Sequence, residues 1–105
     1  MNGDVRFPVS INGMTRMHDE ARRMGLNVSA AFRRKAYALG NADMPKFALS
    51  GENLTRTLTA GVNPSIYAKL VRLAERMGVS ASCIGELVCA FDMDGCGSFM
   101  PGLPA

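Results

Sequence analysis

Two stretches of the chain alternate apolar and polar residues in the pattern of a one-sided β-strand. They are Val5-Arg-Phe-Pro-Val9 and Leu58-Thr-Ala-Gly-Val62. A half-buried strand places every second side chain on the same face. We therefore expect each strand to bury one apolar face, formed by Val5, Phe7 and Val9 in the first and by Leu58, Ala60 and Val62 in the second.

A helix is predicted after each strand. Asn63 is a good N-cap, Pro64 suits the first helical position, and Gly78 is a typical stop. In the first half Gly25 stands at the corresponding stop. The apolar stripes of the two helices are Met14, Met17, Ala21 and Met24 in the first half, and Ile66, Leu70, Leu73, Ala74 and Met77 in the second.

A second helix is predicted in each half, because Asn27 and Ser80 are strong N-cap residues that follow the two stops. Apolar residues again recur at helical spacing after each cap. The expected core positions are Ala31, Phe32, Ala36 and Leu39 in the first half, and Ile84, Leu87, Val88 and Phe91 in the second.

The two halves are related as an internal repeat. A shift of 53 positions without gaps places residues 14–29 on residues 67–82. Identical residues then coincide at Ala21/Ala74, Arg23/Arg76, Met24/Met77, Gly25/Gly78 and Ser29/Ser82. A repeat of one supersecondary unit indicates that neighbouring units bury a face that neither buries alone.

The domain organisation follows from this repeat. We expect a first unit over residues 1–39, a linker over 40–55, a second unit over 56–91 and a flexible tail over 92–105. Units of under about 40 residues rarely fold unaided, so the two should share one core. The predicted fold is mostly α-helical with a two-stranded antiparallel β-ribbon.

This pattern resembles the ribbon-helix-helix family typified by the Arc, MetJ and CopG repressors. The resemblance is closest over residues 56–91, in the runs Arg56-Thr-Leu-Thr-Ala-Gly-Val-Asn63 and Leu73-Ala-Glu-Arg-Met-Gly-Val-Ser80, and weaker over residues 5–39. Family members usually pair two chains, and TraY-like relaxosome proteins are similar to this chain in joining both copies covalently. The resemblance implies a single-chain pseudo-dimer that binds double-stranded DNA.

A helix-turn-helix is the alternative architecture. The spacing of Leu73, Ala74, Met77, Gly78, Val79, Ile84 and Leu87 also fits that motif. The first half fits it poorly, because Glu20 and Arg34 occupy positions that should be apolar. The sequence also has alternating strands where such a domain usually has a third helix.

The exposed face of a two-stranded ribbon fits the major groove of B-DNA. By parity this face carries Asp4, Arg6, Pro8, Thr57, Thr59 and Gly61. Arg6, Thr57 and Thr59 are the predicted base contacts, since arginine binds guanine and threonine contacts bases or a thymine methyl. A solvated sheet face is the alternative role for the same side chains.

Phosphate contacts are predicted at the N-termini of the second helices, where free N–H groups and the helix dipole favour an anion. The candidates are Asn27, Ser29, Ser80 and Ser82, which act equally well as plain helix caps. Basic residues add long-range attraction to phosphates. These are Arg56 and the run Arg33, Arg34 and Lys35, for which a solvated helix face is the alternative role.

Charge and reactive side chains favour binding over catalysis. The net charge is +3, with seven basic and three acidic residues in 1–39 against five and six in 40–105. The single histidine, His18, has no nucleophile at a recognisable spacing, so we predict a surface side chain and no enzyme activity. Cys83, Cys89 and Cys96 lack metal-ligand spacing, and residues 92–103 lack the final glutamate of a calcium loop, so no cofactor is expected.

Two functions remain open from the sequence. The leading one is a cytoplasmic DNA-binding protein, either a transcriptional repressor or an accessory factor of plasmid or phage DNA processing, with self-association of the pseudo-dimers as a further expectation. The alternative is a protein-interaction module on the same scaffold, such as an antitoxin or a phage-encoded inhibitor. No signal peptide is expected, because residues 1–7 lack its charged-then-apolar layout, and no membrane span is expected, because no window approaches 18 consecutive apolar residues.

Overall fold

The computed structural model describes residues 4–42 and 53–91, and these residues form two strands and four α-helices. The predicted fold class is therefore confirmed at the level of a mostly helical chain with a two-stranded antiparallel sheet. The elements are β1 (Asp4–Val9), α1 (Ile11–Met24), α2 (Val28–Gly40), β2 (Arg56–Gly61), α3 (Pro64–Met77), a 3₁₀ turn (Ala81–Cys83) and α4 (Ile84–Ala90).

The two strands pair antiparallel in one sheet, with Arg6 opposite Thr59 and Phe7 opposite Leu58. Burial alternates along both strands as predicted. Val5 is half-buried, and the remaining inward residues are buried, namely Phe7, Val9, Leu58, Ala60 and Val62. The sheet therefore covers the helices with one face and leaves the other open.

The helix boundaries follow local capping chemistry. Asn27 and Asn63 cap α2 and α3, as predicted, by accepting hydrogen bonds from the N–H groups of Ala30 and Ser65. Helices α1 and α3 both end in a left-handed residue, Gly25 with φ 72° and Gly78 with φ 74°. The cap of α1 is Ser10, which the sequence argument did not identify; its Oγ accepts from the Gly13 N–H at 2.9 Å.

The second helix of the second half differs from expectation. It does not run on from Ser80 as an α-helix: a 3₁₀ turn comes first, and α4 begins only at Ile84. The Ser80 Oγ accepts from the Ser82 N–H at 3.1 Å, and such a local bond competes with α-helical geometry. Helix α4 then packs closely on β1, because a Cβ added at Gly85 would lie 2.6 Å from the Phe7 Cβ.

Residues of both halves form one hydrophobic core. The rings of Phe7 and Phe32 lie 4.8 Å apart between centroids, which joins the sheet to α2. All eight core positions predicted for the second helices are buried. Met77 is the exception among the predicted stripes: it is exposed, because it lies in the last turn of α3 just before the helix ends.

No helix in residues 4–42 and 53–91 has the length and apolar character needed to cross a membrane.

Candidate nucleic-acid interface

The open face of the β-ribbon carries the side chains that the parity argument assigned to it. Asp4, Arg6, Pro8, Thr57 and Thr59 are exposed, and Gly61 is half-buried. The cross-strand pairs are Asp4 with Gly61, Arg6 with Thr59, and Pro8 with Thr57. Side chains opposite each other in a sheet lie about 5 Å apart, so the three predicted base contacts form one continuous patch.

Arg6 lies at the centre of this patch. Its partner Thr59 lies two residues along β2 from Thr57, on the same face. The ends of the patch offer less chemistry, because Pro8 has no donor and Gly61 has no side chain. A Cβ at Gly61 would lie 3.3 Å from the Asp4 Oδ1, so the Asp4 carboxylate extends over this glycine.

The N-terminus of α2 lies against the ribbon. The Ser29 hydroxyl donates a hydrogen bond to the Thr59 carbonyl oxygen at 2.7 Å. The Asn27 Oδ1 accepts from the Ala30 N–H at 2.8 Å and is therefore engaged as a cap. The Ser29 hydrogen bond thus holds the first turn of α2 beside Thr59, a predicted base-contact residue.

The corresponding turn in the second half is arranged differently. Ser80 and Ser82 are both exposed, and their Oγ atoms are hydrogen-bonded to each other at 2.5 Å. Ser82, which the repeat aligns with Ser29, bonds within its own turn instead of to the ribbon. The predicted phosphate contacts in the two halves therefore have unequal geometry, although each pair lies at the start of its second helix or turn.

The basic residues divide into two environments. Arg33, Arg34 and Arg56 are exposed, as a phosphate contact requires. Arg33 lies beside the end of β2, where it lines a groove with Gly61 and Val62. Lys35 differs, and its inclusion in the phosphate-attracting run was wrong: its side chain is fully buried.

The Lys35 amine is hydrogen-bonded to the Glu20 carboxylate and donates to the Cys89 carbonyl oxygen at 2.8 Å. Burial lowers the pKa of this amine, and the Glu20 carboxylate opposes that shift. Glu20 also forms ion pairs with Arg16 at 3.4 Å and Arg23 at 3.9 Å. Lys35 is therefore a structural cation of the first half.

A second buried polar contact joins Ser10, which precedes α1, to Glu86 of α4. The Glu86 carboxylate accepts hydrogen bonds from the Ser10 N–H at 2.9 Å and from the Ser10 hydroxyl at 2.6 Å. This completes the N-cap of α1 with a residue 76 positions away. A Cβ added at Gly13 would lie 2.6 Å from a Glu86 oxygen, so the approach of this carboxylate requires a glycine there. Neither Ser10 nor Glu86 was assigned a role from the sequence.

All seven residues of α4 are buried, and Glu86 and Ala90 among them reach the lining of a surface groove. In a helix-turn-helix the second helix must enter the major groove with exposed side chains. The segment that matched this motif in the sequence lacks such a surface.

The remaining reactive side chains among the described residues include one histidine and two cysteines. His18 is exposed on α1, as predicted. Cys83 is half-buried and Cys89 is buried, and both are free thiols; burial raises the pKa of Cys89 to about 12. Within residues 4–42 and 53–91 no group of three histidine, cysteine, aspartate or glutamate side chains is placed to hold a metal ion. Cys96 and the calcium-loop comparison lie outside the described residues.

The chain matches no protein-family model, no curated protein and no solved structure.

Proposed function

We propose that this chain is a single-chain ribbon-helix-helix protein that binds double-stranded DNA. The open face of the β1–β2 ribbon enters the major groove, where Arg6, Thr57 and Thr59 contact base edges. A repressor that occludes a promoter and an accessory factor that marks a DNA-processing site would use this same surface.

The observation that carries the proposal is the agreement between the strand register and the internal repeat. A shift of 53 positions takes Arg6 to Thr59, and these two residues are opposite each other in the sheet. The same shift takes Phe7 to Ala60 and Val5 to Leu58, and the register pairs them crosswise, Val5 with Ala60 and Phe7 with Leu58. This is the pattern of two equivalent strands related by a two-fold axis through the Arg6–Thr59 pair.

A two-fold axis at the ribbon centre suits B-DNA, because duplex DNA carries its own two-fold axes in the grooves. Arginine and threonine then lie on that axis, and the weaker positions Asp4, Pro8 and Gly61 lie toward the ends. We therefore expect recognition of a short site whose central base pairs matter most, with few contacts at its edges.

Phosphate binding is assigned to the first turns of the second helices. The free N–H groups of the α2 N-terminus attract a phosphate, and the Ser29–Thr59 bond sets their position relative to the ribbon. Ser80 and Ser82 are assigned the equivalent role in the second half. Arg33, Arg34 and Arg56 are exposed and supply positive charge around these turns.

The burial of α4 argues against the helix-turn-helix alternative. A protein that used this helix as its recognition element would need to expose it first, at the cost of opening a core that includes Ile84, Leu87 and Val88. The ribbon needs no such rearrangement.

The test is selection of a preferred duplex from a random pool, followed by fluorescence anisotropy at several salt concentrations. We expect affinity to fall steeply with salt, and Arg6→Ala to weaken binding by about 5- to 150-fold, the equivalent of about 1–3 kcal/mol for a bidentate base contact. Arg22→Ala is the matched control, because Arg22 is an exposed arginine on α1, outside the ribbon. Binding that ignores salt, or that Arg6→Ala and Arg22→Ala weaken equally, would contradict the proposal.

A further inference from the structure

Two regions of surface depressions are related by the shift of 53 positions, and each lies between a helix of the first half and a helix of the second. One is a groove of about 420 Å³ along α1 and α4, and the other consists of two smaller pockets, of about 170 and 270 Å³, along α2 and α3. Five residues of the α1–α4 groove each have a counterpart 53 positions away that lines the α2–α3 surface. The pairs are Asn12 with Ser65, Gly13 with Ile66, Arg16 with Lys69, Glu86 with Arg33, and Ala90 with Tyr37.

The equivalent positions differ in shape. Small residues, Gly13 and Ala90, leave the α1–α4 groove open. Their counterparts Ile66 and Tyr37 are larger and line the α2–α3 pockets, and Tyr37 projects from them, with 64% of the residue exposed. The α1–α4 side of the molecule therefore carries a groove, and the α2–α3 side carries a projecting aromatic ring at the equivalent position. A groove of this volume is large enough to accept such a ring.

The two surfaces also differ in charge. The groove is lined by the carboxylates of Asp19, Glu20 and Glu86. Arg16 and Arg23 also line the groove and pair with Glu20, and the buried Glu86 carboxylate accepts from Ser10. The Asp19 carboxylate is the exposed one, beside Arg22. The surface around Tyr37 has two cations, Arg33 and Lys69, and no acidic residue.

We propose that the chain associates head to tail with further copies of itself, the Tyr37 ring of one copy entering the α1–α4 groove of the next. Arg33 and Lys69 then face the acidic lining of that copy's groove, in which the Asp19 carboxylate is exposed. Tyrosine and arginine are the residue types that contribute most to protein interfaces. The contact joins two different surfaces, so a dimer still offers one groove and one Tyr37, and the assembly grows beyond two copies. The proposal does not depend on DNA binding.

The test uses sedimentation velocity of the full chain without DNA, at low salt, from about 10 μM to about 1 mM, a range that captures weak association. The average mass should rise with concentration beyond that of a dimer. Tyr37→Ala removes the ring, and Thr15→Trp fills the groove from an exposed position in its lining. Each should raise the dissociation constant at least about tenfold. Met77→Ala and His18→Trp are the matched controls, since both side chains are exposed and line neither surface.

Mixing the two impaired variants tests the head-to-tail arrangement. Tyr37→Ala retains an open groove, and Thr15→Trp retains the ring, so an equimolar mixture should form a heterodimer and grow no further. A wild-type chain that stays monomeric, association that neither variant weakens, or a mixture that stays monomeric would each overturn the proposal. None of these results bears on DNA affinity, which the Arg6→Ala measurement tests separately.

Discussion

Lys35 and Glu20 form a buried ion pair that has apolar counterparts in the other half. The shift of 53 positions takes Glu20 to Leu73 and Lys35 to Val88, both of which are buried. The two equivalent positions of the repeat thus hold an ion pair in the first half and packed apolar residues in the second. A buried ion pair often contributes no more than apolar residues of similar volume, although loss of one partner is costly.

We predict that Lys35→Val lowers the free energy of unfolding by about 3 kcal/mol, because it leaves the Glu20 carboxylate without its buried partner. The double variant Glu20→Leu with Lys35→Val should return to within about 1 kcal/mol of the wild type. Urea denaturation at neutral pH measures both. A double variant less stable than Lys35→Val alone would show that the apolar pair of the second half cannot replace the ion pair of the first.

The lowered pKa of Lys35 adds a pH dependence with a definite sign. The unfolded chain holds this proton up to about pH 10.5 and the folded chain releases it earlier, so the unfolding free energy contributed by Lys35 rises with pH in that window. The double variant lacks the titrating amine. It should therefore show a flatter stability profile than the wild type as pH approaches 10.5.

We expect the two described cysteines to differ in reactivity, because Cys89 is buried and Cys83 is only half-buried. The thiolate is the reactive form, and at pH 8 a thiol with a pKa of about 12 supplies almost none of it. We predict that Cys89→Ala leaves the fast phase of labelling by a thiol reagent unchanged, whereas Cys83→Ala reduces it. Full labelling of Cys89 should require denaturant. A fast phase that shrinks in Cys89→Ala would show that this thiol is accessible in the folded chain.

At the scale of elements, the two helix stops are equivalent by structure as well as by sequence. Gly25 and Gly78 both adopt a left-handed conformation, and a Cβ at either would meet no atom within 4 Å. The cost of substitution is therefore conformational. We predict that Gly25→Ala and Gly78→Ala each destabilise the chain by about 1 kcal/mol. Gly40→Ala is the control, since Gly40 is the last residue of α2 and a Cβ there makes ordinary contacts at 3.5 Å; it should be neutral or stabilising in the same denaturation experiment.

Local sequence chemistry was sufficient to predict most of the elements. Strand alternation, the caps Asn27 and Asn63, and the glycine stops depend on residues a few positions apart, which can be read along the chain. The polar contacts that were missed join residues distant in sequence, such as Ser10 with Glu86. The burial of Lys35 was missed for the same reason, since its carboxylate and carbonyl partners come from α1 and α4. The 3₁₀ turn after Ser80 was missed because Ser80 and Asn27 are equally good N-caps in sequence.

At the scale of the whole molecule, the single core predicts one cooperative unfolding transition. Residues from both halves form that core, and the sheet has one strand from each. Gly25→Ala in the first half and Gly78→Ala in the second should therefore shift the same transition, with additive effects in the double variant. Near-UV and far-UV circular dichroism should give coincident curves. Two separate transitions, one sensitive to each glycine, would mean that the halves fold independently.

The central claim is that the open face of the ribbon binds DNA. An amide chemical-shift titration of the full chain with its selected duplex tests this most directly, because it reports which residues the DNA approaches. We predict that the largest shifts fall in β1, β2 and the turns that begin at Asn27 and Ser80, with small shifts over residues 14–22 of α1. Large shifts confined to α1 and α3, with the amides of Arg6, Thr57 and Thr59 unchanged, would contradict the account.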